Sequence, residues 1–457
     1  MLRSLEVEER SQVSDRKVEA FEAFEALRNI GLREYNYLEL QEAYDKLTQA
    51  VRTGISRKEG QSHKTDGGVQ AIPSPVEPIT GEQLSRVPVG KRVLAGSFGG
   101  TTWVSAISEK GKEGVATRII NNGSAPIATR SSTWEGFVDL MGRHVSGGIG
   151  DKDVSDIRAI GISLGCAHIN EVTENGIDAR IHEQPSNWAL TDFDSTRKPE
   201  EHSRLGEALL QSLHYKGLPQ VREVYFQNDT IAVAHDVSSD ADVLPVGFVF
   251  GTGSNASLGR YNTQLSGQEG ILPSDEISGR MMERGDVRNP RQLKVLVGGK
   301  RMANRVIAAA ELMADRKIVR PESAKSIGEL VKQGNGTILS QIASGEVGYV
   351  ELSKMYPLTL DEYDTLRRSC RMVLNQAGQV IGVMVGSVVS AAGYPGRGET
   401  RLPVEGSVFW KGYNVKAKAG QTLNLLIPDN EISFHEASGI RGVSKLAMVH
   451  SQEKENK

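Results

Sequence analysis

The sequence predicts a mixed α/β protein built from two domains. Apolar runs of strand length alternate with longer runs whose apolar residues recur at helical spacing, which is the pattern of a mixed α/β fold. The length of 457 residues is enough for two domains that each bury a core of their own. We expect N-terminal helices and a linker over residues 1–90, a smaller α/β domain over 91–226 and a larger α/β domain over 227–457.

The N-terminal region predicts two helices followed by a linker. Apolar residues recur every three or four positions in two stretches, and each stretch can present one apolar stripe to a core. These residues are Val18, Phe21, Phe24 and Leu27, and then Leu40, Tyr44, Leu47 and Val51. Between 54 and 90, glycine, proline, serine and charged residues are frequent, which indicates loop and linker. The sequence assigns no role to residues 1–35.

Strands dominate the first half of the chain and helices the second. Apolar runs predict strands at 93–96, 103–107, 116–120, 157–164, 223–228, 247–250 and 256–259, with a less regular stretch between 165 and 222. A helix is expected at 134–145. Apolar spacing together with Gly or Pro stops predicts further helices at 300–314, 322–332, 360–391 and 440–450.

Composition limits the possible functions. With 54 Lys and Arg against 57 Asp and Glu, the nearly balanced charge does not favour binding to nucleic acid or to an anionic membrane. The two cysteines, Cys166 and Cys370, are too few for a disulfide framework. The opening residues lack the apolar core of a signal peptide, and we expect no membrane span, so the sequence predicts a cytoplasmic protein.

The chemistry is indicated by an acidic residue at the end of a strand and by two glycine-rich turns. Asp229, in Q-N-D-T at 227–230, can act as a general base toward a hydroxyl. The turn Gly251-Thr252-Gly253-Ser254 and the turn Gly99-Gly100-Thr101-Thr102 can offer backbone N–H groups to phosphate oxygens. Taken singly, N-D-T is also typical of a self-capped turn and G-T-G of a hairpin. Their combination favours ATP-dependent phosphoryl transfer.

Other phosphate and metal motifs are absent from the sequence. There is no G-x-x-x-x-G-K-[ST] and no G-x-G-x-x-G that opens a helix after a strand, so a P-loop or dinucleotide fold is not predicted. Neither C-x-x-C nor H-E-x-x-H occurs, and the nine histidines are scattered. The sequence therefore identifies no metal ligands.

At the level of motifs the chain resembles the hexokinase family of the actin-like ATPase superfamily. The family's D-x-G-G-T-N reads S-F-G-G-T-T at 97–102, while N-D-T at 228–230 and G-T-G-x-N-A at 251–256 are intact. Further stretches are similar to family motifs in family order: I-P-S at 72–74, Q-L-K-V-L-V-G-G-K-R-M at 292–302, T-I-L-S-Q-I at 337–342 and V-E-G-S-V at 404–408. The resemblance covers about residues 38 to 449.

The resemblance implies a two-domain actin-like ATPase fold, related to ribonuclease H, with the active site in an interdomain cleft. It also implies ATP and Mg²⁺ as cofactors, glucose or a related hexose as the acceptor, and Asp229 as the base that takes the proton from the sugar hydroxyl. Sugar contacts would come from Asn228, Asn255, Glu269 and Thr191. Phosphate and nucleotide contacts would come from Gly99, Gly100, Thr101, Thr102, Thr252, Gly253, Ser254, Lys300, Ser340, Gly406 and Ser407. Glu269 and Lys300 could equally be solvated surface charges.

Several positions depart from the family pattern. Ser97 stands where the family has an aspartate that helps to hold the magnesium-bound phosphates, and Lys294 stands where it has a glutamate. Gly165-Cys166-Ala167 replaces S-F-P, and 188–193 lacks the family lysine, leaving Thr191 as its substitute. A divergent hexose kinase is the favoured interpretation because Asp229 is retained. The alternative is an impaired pseudokinase that acts as a sugar or nucleotide sensor or scaffold. For the enzyme, Ser97→Asp is expected to raise turnover.

Overall fold

The computed structural model describes residues 22–57, 68–99, 102–124, 133–150, 152–183, 203–237, 244–251, 253–393 and 399–455. Of the residues named from the sequence, Val18, Phe21, Gly100, Thr101, Thr191 and Thr252 lie outside the described residues.

Thirteen strands are found in the described part of the chain. In chain order they are β1 (Ala71–Pro73), β2 (Arg92–Phe98), β3 (Thr102–Lys110), β4 (Val115–Ser124), β5 (Ala159–Leu164), β6 (Ala167–Thr173), β7 (Gly176–Glu183), β8 (Glu223–Asn228), β9 (Val246–Phe250), β10 (Ser254–Leu258), β11 (Tyr261–Thr263), β12 (Glu399–Glu405) and β13 (Glu431–Glu436).

The α-helices follow the same order. After a helical stretch at 22–29 they are α1 (Tyr37–Ser56), α2 (Gly81–Ser85), α3 (Trp134–Gly147), α4 (Leu205–Tyr215), α5 (Asp229–Val237), α6 (Glu276–Glu283), α7 (Lys294–Val297), α8 (Gly299–Asp315), α9 (Pro321–Ser344), α10 (Tyr349–Leu352), α11 (Leu360–Ala391), α12 (Ser407–Lys411), α13 (Val415–Leu426) and α14 (Gly439–Glu455).

The chain divides into two units that interleave along the sequence. The helical unit comprises residues 1–48, 266–387 and 406–428, and the sheet unit comprises 49–265, 388–405 and 429–457. The expected boundary between residues 226 and 227 falls inside the sheet unit, within strand β8.

The sheet unit contains both β-sheets. A seven-stranded sheet has the order β4-β3-β2-β5-β8-β7-β6, with β2, β5 and β8 parallel, and a six-stranded sheet has the order β1-β11-β10-β9-β12-β13. The central strand β5 reads A-I-G-I-S-L, and all six of its residues are buried, as expected for a parallel strand covered on both faces. One face packs against α3 and α4 through a core that includes Phe98, Trp103 and Phe137.

On the other side of the seven-stranded sheet, α5 and α14 lie against each other. Ala232 of α5 and Val443 of α14 share a core with Ala95 and Ala106 of the sheet. Any side chain at Gly442 would collide with the Ala232 carbonyl oxygen, so only glycine permits this approach. The two helices are therefore packed closely against each other on this face of the sheet.

The helical unit is fixed by buried polar contacts between distant parts of the sequence. Arg305 of α8 is 1% exposed and pairs with Asp275, which caps the start of α6, at 2.6 Å. In α11, the Gln379 side chain exchanges two hydrogen bonds with the backbone of Tyr35, and Gln376 donates to the carbonyls of Gly31 and Arg33. The described part of residues 1–35 is thus anchored within this unit.

Most predicted elements are confirmed. The hairpin of β2 and β3, strands β5, β8, β9 and β10, and helices α3, α8, α11 and α14 lie within a few residues of their expected positions. The helix expected at 322–332 is too short, because α9 continues past Gly334 and Gly336 to Ser344. Its later residues Leu339, Ile342 and Ala343 are fully buried, so packing overrides the low helix propensity of glycine.

Two predictions of irregular structure are wrong. The stretch 165–222 contains β6, β7 and α4, and the linker at 54–90 contains β1 and the short helix α2. Strand β1 consists of three residues that pair with β11, far away in sequence, so its order depends on a contact that local composition does not reveal.

One helix also departs from the expectation of no membrane-length segment. Helix α11 is long and apolar enough to cross a bilayer, although 89% of its most apolar window is buried within the protein. Such burial is typical of the core helix of a folded domain.

Candidate active site

Asp229 lies where a buried strand changes directly into a helix. Strand β8 ends at Asn228 and α5 begins at Asp229, and the first backbone N–H groups of a helix have no partner within it. The Asn228 Oδ1 atom accepts from Thr230 N at 3.1 Å and from Thr230 Oγ1 at 2.8 Å, and Asp229 Oδ1 also accepts from Thr230 N at 2.8 Å. The segment N-D-T at 228–230 therefore caps the start of α5 and holds the Asp229 carboxylate there.

Burial changes the protonation behaviour of Asp229. The side chain is half-buried, and desolvation raises its pKa to about 6, although the N–H donated by Thr230 opposes the rise. A carboxylate with a pKa near 6 is ionised at neutral pH and holds a proton more strongly than an ordinary aspartate. These properties suit a general base.

The first glycine turn lies next to Asp229. Gly99 N donates to Thr102 O at 3.1 Å and closes the turn between β2 and β3. A methyl group at Gly165, the residue after β5, would lie 3.2 Å from Gly99 Cα and 3.4 Å from Asp229 Oδ2. Gly165 therefore fills the space between the turn and the carboxylate, and its lack of a side chain lets the two come together.

The second glycine turn joins β9 to β10 and is connected to Asp229 through buried polar groups. Gly251 N donates to Gly253 O at 2.9 Å, and Ser257 Oγ in β10 donates to Thr230 O at 3.0 Å. Asn262 Oδ1 accepts from Thr230 Oγ1 at 3.3 Å and from Asn255 Nδ2 at 3.4 Å. The turn that carries Gly253 and Ser254 is thereby fixed relative to the start of α5.

The two asparagines expected to contact a sugar are already engaged within the protein. Asn228 is 4% exposed, and its Nδ2 atom donates to Cys166 O at 3.2 Å. The half-buried Asn255 accepts from Leu265 N at 3.0 Å as well as donating to Asn262. In this structure both residues position their neighbours.

A second carboxylate, Glu405, lies close to these groups. It is the last residue of β12, where it pairs in register with Val249, two residues before Gly251. Its Oε2 atom accepts from Gly439 N at 2.8 Å, at the start of α14. Burial, followed by the negative charges of Asp229 and Asp236, raises the pKa of Glu405 to about 7, although the Gly439 N–H and Arg441 oppose this rise.

Ser163 faces the same point as Glu405. A methyl group at Gly439 would lie 3.0 Å from Ser163 Oγ and 3.1 Å from Glu405 Oε2. Ser163 is 1% exposed, and its hydroxyl has no hydrogen-bond partner among the described residues. It is the in-register neighbour of Ser97, which is half-buried in β2.

The remaining candidates lie in the helical unit and are mostly exposed. Lys300 lies near the start of α8, Ser407 begins α12 after Gly406, and Glu269 accepts from Gln292 Nε2 at 3.3 Å. Ser340 Oγ, in α9, accepts from Tyr413 N at 3.1 Å. Glu269 and Ser340 are therefore hydrogen-bonded to other residues of the helical unit.

The replaced positions have simple surroundings. Cys166 is 6% exposed, and its pKa is raised well above the usual thiol value by burial and by the charge of Asp229. It is a small buried thiol beside the carboxylate. Lys294 is the first residue of the short helix α7 and is partly exposed.

Sequence reasoning missed three residues of this candidate site, namely Ser163, Asn262 and Gly439, and it noted Gly165 only as a departure from the family pattern. The chain gave no local signal for Ser163 or Asn262, because each lies in an ordinary strand and acts through a contact with a remote segment. Glu405 was noted only as part of the V-E-G-S-V motif, and no role was assigned to its side chain from the sequence.

No protein-family model matches the sequence, and no curated protein matches it. Solved structures do match the fold. A hexokinase from Schistosoma mansoni complexed with glucose superposes with a TM-score of 0.74 at 15% identity, covering 95% of this chain and 99% of that chain. Another structure, described as a hexokinase, gives a TM-score of 0.68 at 13% identity and covers 93% and 98% of the two chains. The predicted two-domain mixed α/β fold is confirmed, and it is the fold of these two hexokinase structures.

Proposed function

We propose that this protein is an ATP-dependent kinase that phosphorylates a hexose, with Asp229 as the general base. The observation that carries the proposal is the half-buried carboxylate of Asp229 beside the Gly99 turn, with Gly165 filling the space between them. The fold shared with a hexokinase crystallised with glucose supports a sugar as the acceptor.

The proposed reaction is a direct transfer between two oxygens. Asp229 accepts the proton of the sugar hydroxyl while that oxygen forms a bond to the terminal phosphorus of ATP. The bond between this phosphorus and the bridging oxygen breaks, and ADP leaves with the electron pair. The peptide N–H groups of the two glycine turns would hold the phosphate oxygens, and the cap formed by Asn228 and Thr230 keeps the carboxylate in place.

The residues of the site fit a magnesium ion bound to ATP. Magnesium usually keeps several waters and binds through one or two carboxylates together with substrate phosphates. Among the described residues, no group of three or more His, Cys, Asp or Glu side chains could hold a metal ion by itself. The two carboxylates near the glycine turns suit a metal that arrives with a nucleotide. When bound, the ion would neutralise charge on the phosphates.

The test is an ADP-release assay with Mg²⁺ and ATP against a panel of hexoses, amino sugars and nucleosides. We expect release that depends on a hexose, and a loss of about 10²–10⁴-fold in kcat in Asp229→Asn. Asp429→Asn, an exposed aspartate of the same unit, is the control and should retain full activity.

The outcomes separate the interpretations. Hexose-dependent release that Asp229→Asn leaves unchanged would refute the assignment of the base. Binding of ATP or sugar without any release would instead favour the sensor or scaffold.

A further inference from the structure

Glu405 and Ser163 take no part in the proton transfer and the bond changes described above. Glu405 receives one hydrogen bond, from Gly439 N to Oε2, and among the described residues Oε1 accepts none. Ser163 Oγ is buried beside it, and no described residue forms a hydrogen bond with it. A buried hydroxyl without a partner destabilises the fold, so the arrangement calls for an explanation.

The position of Glu405 relates it to both glycine turns. Through β12 it is the in-register neighbour of β9, which leads into Gly251. Through Gly439 it lies beside Ser163, whose register neighbours are Ser97 in β2 and Gln227 in β8. Strand β2 leads into the Gly99 turn and β8 leads into Asp229, so Glu405 lies among the ends of three strands that carry the site.

We propose that Glu405 and Ser163 form the protein's side of a magnesium site for the ion that accompanies the phosphates of ATP. This inference rests on the proposed function. The Glu405 carboxylate supplies negative charge and a free oxygen, and the Ser163 hydroxyl orients a water in the shell of the ion. Ser97, which carries no charge, lies beside Ser163 on the same face of the sheet. The charge that this site needs is therefore supplied from β12.

A purely structural role for Glu405, as a cap of α14, makes a different prediction. In Glu405→Gln the amide oxygen can still accept from Gly439 N, so the cap is kept while the charge is lost. Binding of magnesium needs the charge, so the affinity for the nucleotide measured with Mg²⁺ should fall in this variant. Loss of a negative charge can only strengthen binding of the nucleotide alone, so a ratio that changes through the EDTA value alone would count against the site.

The experiment measures the Kd of AMPPNP, a non-hydrolysable ATP analogue, by calorimetry with Mg²⁺ and with EDTA. The ratio of the two values reports how strongly magnesium promotes nucleotide binding. We expect Glu405→Gln to lower this ratio about tenfold or more. Glu436→Gln, an exposed glutamate at the end of the neighbouring strand β13, should leave it within about twofold of the parent.

A second substitution tests the position of the charge. Ser97→Asp in the Glu405→Gln background returns a carboxylate beside Ser163, and we expect it to restore much of the ratio. Ser97→Asp alone adds a second negative charge near Glu405 and should give little gain. This changes the expectation from sequence, in which Ser97→Asp by itself raised turnover. A residue that only caps a helix would not be rescued by a charge in β2.

Each result decides the matter. An unchanged ratio in Glu405→Gln, with a parent that phosphorylates a hexose, overturns the magnesium site alone. A parent that binds no AMPPNP under either condition overturns the sugar kinase and the magnesium site together. If circular dichroism shows that Glu405→Gln does not fold, Ser163→Ala replaces it. That variant removes the hydroxyl assigned to the site and leaves the cap of α14 intact, so a ratio as high as in the parent would then refute the proposal.

Discussion

The sheet unit and the helical unit treat their candidate functional side chains differently. Around Asp229, the polar groups of Thr230, Asn228 and Asn262 form a buried hydrogen-bond network. In the helical unit, Lys300 and Ser407 are exposed, and Glu269 and Ser340 hydrogen-bond to other residues of the same unit. A group that is held before the substrate arrives needs no reorganisation during the reaction, which is the basis of electrostatic preorganisation. For the proposed kinase, the comparison predicts that the chemistry resides in the sheet unit and that the exposed groups of the helical unit contribute less.

The largest expected effect concerns pH. Because burial raises the pKa of Asp229 to about 6, the base becomes protonated below that pH. The value of kcat/KM for the sugar should therefore fall about tenfold for each pH unit below 6. The measurement is a rate profile from pH 4.5 to 8. The pH profile of the residual activity of Asp229→Asn serves as the control, because it shows any effect of protonating ATP or Glu405. If the parent has the same pH profile as this variant, the assignment of Asp229 as the base is contradicted.

The raised pKa of Asp229 also predicts how stability depends on pH. Stability should fall as pH rises, whereas activity should increase. The folded-state pKa of Asp229 is raised above its unfolded value, so its contribution to stability is present at low pH and is lost as pH rises through about 6. At pH 8, Asp229→Asn should increase the free energy of unfolding by about 1–3 kcal/mol. Urea denaturation at pH 8 and at pH 4 measures this. A stabilisation that is equal at both values would show that charge is not the cause.

The buried network can be tested without touching the carboxylate. Thr230→Val keeps the shape of the side chain but removes the hydroxyl that lies 2.8 Å from Asn228 Oδ1 and 3.3 Å from Asn262 Oδ1, the two acceptors that share its proton. Both acceptors are buried, so the free energy of unfolding should fall by about 1–3 kcal/mol. The kcat should also fall, because the start of α5 is less well fixed. Urea denaturation and the ADP-release assay measure both effects. A variant with normal stability and normal rate would show that the network is dispensable.

Smaller effects are expected in the helical unit. Lys300→Met removes an exposed cation and should raise the KM for ATP by about fivefold or less, without changing kcat. Steady-state kinetics with varied ATP, at several ionic strengths, tests this, because an exposed charge is screened by salt. A KM equal to that of the parent would indicate that Lys300 is a solvated surface charge. A large fall in kcat would indicate that Lys300, and with it the helical unit, takes part in the chemical step.

The smallest expected effect is at Ser407. Its side chain is exposed, so Ser407→Ala should alter the free energy of unfolding by no more than about 0.5 kcal/mol. The same variant should change nucleotide affinity by about twofold at most, as measured by calorimetry with AMPPNP. A loss of tenfold would show that exposed groups of the helical unit carry more of the nucleotide binding than the comparison allows.

Local pattern was enough where packing and propensity agree. Strand β8 and helix α11 begin and end where the sequence places them, because a short apolar run and a long amphipathic run each have one good solution. It failed where tertiary contacts decide, as in β1, which exists through its pairing with β11, and in α9 beyond Gly334.

The same division applies to the site. Asp229 and the two glycine turns could be proposed from the sequence because the chemistry expected of them resides in a few consecutive residues. The relation of Glu405 to Ser163 joins residues that are far apart in sequence, and it depends on Gly439, which leaves room for both. No periodicity or motif in either segment announces such a contact, since it is created when the strands and α14 come together.

The close pairing of α5 and α14 has one more consequence. Their contacts advance in the same direction, since Ala232 meets Gly439 and Gly442 while Asp236 binds Arg441 and Lys445. The two helices are therefore parallel, and both begin at the site. Each N-terminus carries roughly half a positive charge from its aligned peptide dipoles. Two such ends side by side offset the repulsion between Asp229 and Glu405, and they would draw a polyanion toward this spot before any side chain touches it.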